Sequence, residues 1–298
     1  MTYSIVARDP ETGALGVAVQ TCFFAVGASV TWARAGVGAV ATQSFGDPSY
    51  GPRGLDALAG GADAADAIRA AQAFDESPEM RQIGCVSASG TSASFTGELC
   101  IAEAGDVQGD GYAVQANMMA SATVWPAMAQ AYETATGPFA RRLLAALYAG
   151  EGEGGDARGQ MSAAMLIVGP DRPDVPGRGV LCDLRVDAAD QPLDELARLL
   201  DTRDAFAAYS RGTDALFGGE PQRARTELES ALVLLPGDEN FRFARAGALL
   251  FGGDAEEGRA ELRALIRQRP SWELVVRSFA SKGLLALPSD VSVDDFLS

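Results

Sequence analysis

The sequence predicts an α+β fold or a four-layer αββα sandwich, followed by a small all-α region. Three observations carry that expectation. Segments of two-residue periodicity come in blocks, separated by pairs of segments with helical periodicity, which implies sheets covered by helix layers rather than a doubly wound sheet. From about Leu193 onward the pattern is helical throughout. Within that stretch Leu216-Phe217-Gly218-Gly219-Glu220 recurs as Leu250-Phe251-Gly252-Gly253-Asp254, 34 positions further on. The expected domains are residues 1–192 and 193–298.

Residues 3–8 and 14–20 read as strands joined by Asp9-Pro10-Glu11-Thr12-Gly13, whose proline and glycine favour a hairpin turn. Residues 28–33 and 37–43 form two more candidate strands around Arg34-Ala35-Gly36. They are rich in small and β-branched residues with little alternation, which implies burial on both faces. Residues 51–59 and 62–74 carry apolar side chains at helical spacing, and Asp63 is placed to cap the second helix. Strands return at 82–87 and 92–96, turning through Ala88-Ser89-Gly90-Thr91, and again at 112–118. Residues 123–135 and 138–149 are amphipathic helices separated by Thr136-Gly137, with Pro138 where a first helical turn tolerates it. A glycine–acid loop over 150–159 leads into an apolar strand at 161–168, and 179–186 is the last strand expected.

In the helical tail the same offset links Glu227-Leu228 to Glu261-Leu262 and Pro236 to Pro270. Thirty-four residues is the tetratricopeptide period, built from stacked helix–turn–helix units. Gly212, Ala224, Gly247 and Gly258 stand where two such helices approach. Two repeats are marginal alone, so residues 272–285 are expected to cap them. An unrelated helical bundle is the alternative.

Composition narrows the chemistry. The net charge of −16 disfavours nucleic acid and anionic membrane surfaces as partners. No apolar run approaches membrane-span length, and no basic segment precedes an apolar core at the start, so neither a span nor a secretion signal is expected. Histidine is absent. That excludes a Ser-His-Asp or Cys-His pair and any histidine-ligated zinc or haem. A general base must be a carboxylate, a tyrosine, the lone lysine Lys282, or a chain-terminal amine. Cys22, Cys85, Cys100 and Cys182 lack Cys-x-x-Cys spacing and read as reduced thiols of a cytoplasmic protein, with a Cys85–Cys100 bridge as the alternative. Glu151, Glu153 and Asp156 are interleaved with glycines, the texture of a solvated loop. No metal and no cofactor are expected.

Thr2 follows Met1 directly, and its side chain is small enough that removal of Met1 is expected. The product carries a hydroxyl and a free α-amine on one residue, a recognised nucleophile–base unit. An α-amine titrates at about pH 8, so a useful fraction is neutral near pH 7. A polar residue opening a strand is the plainer alternative.

Several runs together resemble a known family: Thr2-Tyr3-Ser4-Ile5-Val6-Ala7-Arg8-Asp9, Ala25-Val26-Gly27, residues 32–43, Tyr50-Gly51-Pro52-Arg53-Gly54-Leu55, Gly109-Asp110-Gly111-Tyr112, Gln115-Ala116-Asn117 and residues 154–164. In this order they resemble a bacterial domain-of-unknown-function family, ten-twenty-eight, assigned to the Ntn (N-terminal nucleophile) hydrolase superfamily. The resemblance spans roughly residues 2–190. It implies an αββα sandwich with Thr2 at the start of a central strand, and amide-bond hydrolysis as the superfamily's usual chemistry, without naming a substrate. Proteasome-like members place a lysine beside the nucleophile. Here the lone lysine lies in the repeat region, so a nearby cation would have to be an arginine such as Arg8, Arg34 or Arg158.

Roles follow from that scheme. The amine of Thr2 takes the hydroxyl proton, the oxygen attacks a carbonyl, and the oxyanion needs preplaced donors. Asn117 is the first candidate donor, or else a strand-end asparagine satisfying its own backbone; Gln43 and Gln160 share that ambiguity. Asp156 would position the amine and Arg158 a substrate carboxylate, or the two form an ion pair within a turn. Asp47, Tyr50 and Arg53 form either a substrate wall or an ordinary Pro/Gly-rich connection. Two functions stay open. One is a cytoplasmic N-terminal-threonine amidohydrolase acting on a small-molecule or peptide amide. The other is a non-catalytic Ntn-fold module whose repeats recruit a protein partner. Homo-oligomerisation also stays open.

Overall fold

The computed structural model describes residues 2–175, 177–286 and 293–297. Met1, whose removal the sequence leads one to expect, lies outside them. The chain divides into two compact units, Met1–Arg198 and Leu199–Ser298.

The first unit is mixed α+β. In chain order its strands are β1 (Thr2–Arg8), β2 (Leu15–Thr21), β3 (Thr31–Arg34), β4 (Gly38–Ser44), β5 (Arg81–Ser87), β6 (Ser92–Thr96), β7 (Gly105–Gly109), β8 (Tyr112–Asn117), β9 (Ser162–Val168) and β10 (Val180–Val186). They form a six-stranded sheet ordered β10-β9-β2-β1-β8-β7 and a four-stranded sheet ordered β3-β4-β5-β6. Every pairing is antiparallel. The helices come in pairs, α1 (Tyr50–Ala59) with α2 (Ala64–Gln72), and α3 (Val124–Thr134) with α4 (Phe139–Gly152).

Side-chain alternation places these elements. On β4, Val40 joins Leu55, Leu58, Ile68 and Ile83 beneath the first helix pair. Its neighbours Ala39 and Ala41 instead pack with Val6, Val17 and Val86, between the two sheets. Both faces are therefore buried, and a strand buried on both faces loses the polar half of its alternation. The second helix pair lies on the six-stranded sheet. A Cβ on Gly16 would stand 2.8 Å from Leu143 and 2.9 Å from Phe139, so α4 approaches β2 too closely for a side chain there. Tyr112 of β8 meets Tyr132 of α3 with ring centroids 5.1 Å apart.

The hairpin turn is held from within. Thr12 Oγ1 donates to Asp9 Oδ2 at 2.5 Å, and Gly13 adopts φ 73°, a region that favours glycine. The Asp63 side chain accepts from the Asp66 N–H and caps α2.

Some expectations need correction. The strand expected over 28–33 begins later, as β3 at Thr31, and a short 3₁₀ turn, Val26–Ala28, precedes it. The helix expected to end at 149 runs on to Gly152, into the glycine–acid segment. β7 was not expected at all; its sequence Gly-Asp-Val-Gln-Gly has two glycines and no fully buried position, so it carries no apolar signature. All four cysteines are free, which removes the Cys85–Cys100 bridge.

The second unit is helical among its described residues. The long helix α5 (Pro192–Phe217) carries the division within it, and α6 (Pro221–Leu234), α7 (Glu239–Phe251), α8 (Ala255–Gln268), α9 (Trp272–Ser281) and α10 (Val293–Leu297) follow. Phe243, Leu250, Leu262, Leu265 and Trp272 form one core cluster. A Cβ on Gly212 would stand 2.7 Å from Leu228, so α5 and α6 meet at a glycine. No helix among the described residues is long and apolar enough to cross a membrane.

Candidate active site

β1 is the fourth of six strands, and Thr2 opens it. Across the ladder Thr2 faces Thr21 on β2 and Asn117 on β8. Alternation sends Thr2 and Ser4 between the sheets and Tyr3 to the opposite face, where its hydroxyl donates to Glu151 Oε2 at 2.7 Å. Burial, reinforced by the charge of Glu151, raises the Tyr3 phenol well above its ordinary range.

Beneath Thr2 the space between the sheets is polar. Gln43 Nε2 lies 3.0 Å from the Thr2 carbonyl, 2.8 Å from Gln82 Oε1 and 3.2 Å from the Gln115 carbonyl, while its Oε1 accepts from Ser4 Oγ at 2.7 Å. Gln82 Nε2 donates to the Ala116 carbonyl at 2.7 Å and to Thr96 Oγ1 at 2.9 Å. Asn117 Nδ2 donates to Gln82 Oε1 at 2.7 Å and, more weakly, to the Thr2 carbonyl at 3.4 Å. Gln115 Nε2 reaches Ser4 Oγ at 2.5 Å. Buried amides are tolerated only when partnered, and here they partner one another across two sheets. Gly84 on β5 is where the sheets come closest at this network: a Cβ there would lie 2.1 Å from Gln115 Oε1.

The Thr2 hydroxyl, 6% exposed with its residue, donates to Thr21 Oγ1 at 3.2 Å. Thr2 also lines a cleft of about 170 Å³ whose other walls come from residues 21–30 and 42–48. No lining residue carries a formal charge. Backbone strain gathers at this end of the sheets. Among the described residues the non-glycine positions with left-handed φ are Ala25 (55°), Ser44 (74°) and Met118 (57°). Ala25 follows Phe24, Ser44 follows Gln43, and Met118 follows Asn117. Such conformations cost about 1–3 kcal/mol each and persist where surrounding structure enforces them, as it does at functional sites.

The sequence-derived candidates separate here. Thr2, Gln43 and Asn117 are brought together, but both amides are committed to the Thr2 carbonyl and to Gln82. Asn117 is fully buried and does not line the cleft, so its position gives the expected oxyanion-donor role no support. Tyr50 is no substrate wall: it begins α1, is fully buried, and donates its hydroxyl to Asp75 Oδ2 at 2.8 Å. Arg53 lies over the Phe74 ring, 4.7 Å from its centroid. Asp47 accepts from the Ser49 N–H at 2.8 Å and leaves the cleft wall to Gly46 and Pro48.

Asp156 is buried and holds Arg158, with Nη2 at 3.0 Å from Oδ2 and Nε at 3.2 Å from Oδ1, and it accepts from the Cys22 N–H at 3.3 Å. The guanidinium of Arg158 lies 4.9 Å over the Phe23 ring. This is an ion pair within the turn; Arg158 does not line the cleft as a carboxylate receptor. The Cys22 thiol is raised by burial and by the Asp156 charge. Gln160 donates to Gln191 Oε1 at 3.0 Å. Arg8 donates to the Ala88 carbonyl and Arg34 pairs with Asp56, both away from Thr2.

Thr21, Ser4, Gln82 and Gln115 were missed by sequence reasoning, as was the Phe23-Phe24 wall. A signal existed. Polar residues at two-residue spacing, Thr2 with Ser4 and Gln115 with Asn117, occupy the inward face of strands that otherwise read as apolar.

The family described as "Family of unknown function (DUF1028)" matches residues 2–196. Among solved structures, the chain is similar to protein SPO2555 from Silicibacter pomeroyi, whose crystal structure is described with the same family. The two are 35% identical with a TM-score of 0.60, over 67% of this chain and 87% of that one. No curated protein matches.

Proposed function

The chain belongs to the DUF1028 family, and from that premise we propose that it is an Ntn-type amide hydrolase whose nucleophile is Thr2, freed by removal of Met1. On this reading the two sheets and their helix pairs are the αββα sandwich of that superfamily, residues 1–192 are the catalytic domain, and 193–298 are tetratricopeptide-like repeats. The observation that carries it is the position of Thr2: first residue of an inner strand, its hydroxyl at the wall of an uncharged cleft, its carbonyl held by two buried amides.

The chemistry is acyl transfer. The α-amine accepts the hydroxyl proton, Thr2 Oγ1 bonds to the substrate carbonyl carbon, the amide C–N bond breaks, and the proton passes to the leaving amine. Water then hydrolyses the threonine ester. Gln43 and Asn117 are positioning residues, because both amides donate to the Thr2 carbonyl; Gln43 also lines the cleft, whereas Asn117 lies behind it. Oxyanion donors would come from backbone N–H groups of the lining segments. Localisation in the cytoplasm belongs to this reading, through its free thiols.

The competing reading is a binding module in which Thr2 is structural. The hydrogen bond from the Thr2 hydroxyl to Thr21 and the near-complete burial of Thr2 favour it. A substitution series separates the two. Intact mass should show mature protein beginning at Thr2. Thr2→Ser should retain measurable turnover in an amide screen, Thr2→Ala should lose it, and the rate should rise through the α-amine range at about pH 8. Equal activity in wild type and Thr2→Ala would establish the binding module instead.

A further inference from the structure

The walls of the Thr2 cleft define what it can hold. Phe23, Phe24, Val26, Val30 and Pro48 supply apolar surface, and the polar remainder is hydroxyls, one amide and backbone. Two of those hydroxyls are already donors, Ser29 Oγ to the Val26 carbonyl and Thr42 Oγ1 to the Asp47 carbonyl. Arg158, which reaches the rim by stacking on Phe23, is already paired with the buried carboxylate of Asp156. With the Thr2 amine neutral, as a base must be, a carboxylate entering the cleft would meet hydroxyls and backbone N–H groups but no cation, and an ammonium would meet no lining carboxylate. Volume sets the other limit. An apolar cavity of about 150 Å³ holds one benzene, and this cleft is about 170 Å³.

We propose that the cleft is the acyl pocket of the hydrolase and accepts a small uncharged apolar acyl group, phenyl-sized or smaller, held against Phe24 and Val30. This rests on Thr2 being the nucleophile, because only then must the acyl carbon sit at the cleft floor. Phe24, 70% exposed at the mouth, is the specificity residue: its ring gains cover only when an acyl group is seated. Anionic acyl groups such as succinyl or glutamyl are disfavoured by charge, and a chain longer than the cleft gains nothing beyond the part the cleft covers.

Two measurements on the full-length protein test this separately. The first needs no chemistry: binding of N-methyl amides to Thr2→Ala, read by ligand-observed NMR at about pH 9, where the α-amine is largely neutral. Affinity should rise about fourfold per methylene from acetyl to butyryl, benzoyl should bind at least as tightly as butyryl, and succinyl should bind at least about tenfold more weakly. Gly46→Leu should abolish benzoyl binding by filling the cleft. An added Cβ at Gly46 meets nothing closer than 3.6 Å, so the variant should fold. Failure of every neutral amide to bind, tighter binding of the succinyl amide, or unchanged benzoyl binding in folded Gly46→Leu overturns the acyl pocket.

The second measurement treats wild type with p-nitrophenyl butyrate and reads intact mass. Thr2 Oγ1 should gain the butyryl group as p-nitrophenolate leaves, its proton passing through the amine to solvent. Lys282, the four cysteine thiols and the Thr2 α-amine are background sites; peptide mapping separates the first two, and hydroxylamine, which cleaves a threonine ester but not an amide, separates Oγ1 from the amine. Neutral amides that bind without any acylation of Thr2 overturn the nucleophile and the acyl assignment together, while leaving the cleft's preference for uncharged ligands standing.

Discussion

Gln82→Leu should loosen Thr2 without touching it. Gln82 is fully buried, and its side chain joins β5 to both Asn117 and the Ala116 carbonyl of the other sheet. Leucine has similar size but neither donates nor accepts. Asn117 Nδ2 would be left with only its 3.4 Å contact to the Thr2 carbonyl, and the Ala116 carbonyl would lose a 2.7 Å donor. Each stranded buried group costs about 1–3 kcal/mol, against a gain of about 1–2 kcal/mol from burying the apolar side chain. The middle of these ranges is a net loss of about 2.5 kcal/mol. For a unit of this size that lowers Tm by about 5–10 °C, readable by calorimetry. Acylation of Thr2 by the butyrate ester should slow as well, because Asn117 no longer restrains the Thr2 carbonyl. Gln82→Glu keeps the acceptor but places a charge in the same buried space, and should be worse than leucine. A Tm within about 1 °C of wild type for Gln82→Leu would refute the view that this network holds the strand end. A large fall in Tm with unchanged acylation would confine the network to stability.

Asp75→Asn should destabilise the first unit by about 2–3 kcal/mol, because Arg81 at 2.6 Å and the Tyr50 hydroxyl at 2.8 Å lose their carboxylate. The hydrogen bond from Arg81 holds Asp75 well below the usual carboxylate range, so its contribution is present above the unfolded value of about 3.9 and is lost as pH falls further. The stability gap between wild type and Asp75→Asn, from urea titrations, should therefore be constant near neutrality and narrow below about pH 4; a constant gap down to pH 2 would contradict the pairing. In the second unit, Asp238 accepts from the Asn240 and Phe241 N–H groups at the start of α7. Asp238→Ala should cost about 1 kcal/mol, seen as a small fall in the urea midpoint with unchanged Thr2 acylation.

The elements of the first unit were legible because their signals are local. The turn at 9–13, the cap at Asp63 and the proline before α4 each act within a few residues, and the period-two runs fixed nearly every strand. β7 was illegible for the converse reason: an edge strand with half-buried faces is made by its partner β8, not by its own residues. At the site, Thr2 could be nominated from its position next to Met1. The partners of Thr2 could not be, because Thr21, Gln82 and Asn117 meet only once two sheets are stacked. Tyr50 misled because a tyrosine beside Pro48 and Gly51 has the local look of a loop, whereas its burial follows from a distant acid at Asp75.

A core of amides between two sheets is costlier than one of valines, since every unmade hydrogen bond in it is penalised. The first unit uses both. Toward Val6, Val17 and Val86 the space between the sheets is apolar, and only at the Thr2 end does it turn polar. That localisation is hard to explain as stability, because the apolar packing elsewhere does the same work with fewer orphaned groups; Gln115 Oε1 and Asn117 Oδ1 are buried there without a hydrogen-bond partner. Amides do offer what valines cannot, a fixed direction, and three of the bonds here converge on one strand end through the Thr2 carbonyl and Ser4. The strained Ser44 and Met118 stand next to the two amides that make the Thr2 contacts. Directional restraint on Thr2, with strained backbone at Ser44 and Met118 beside the amides that hold it, is what a positioned nucleophile requires, and the Thr2→Ser and Thr2→Ala series decides whether Thr2 is one.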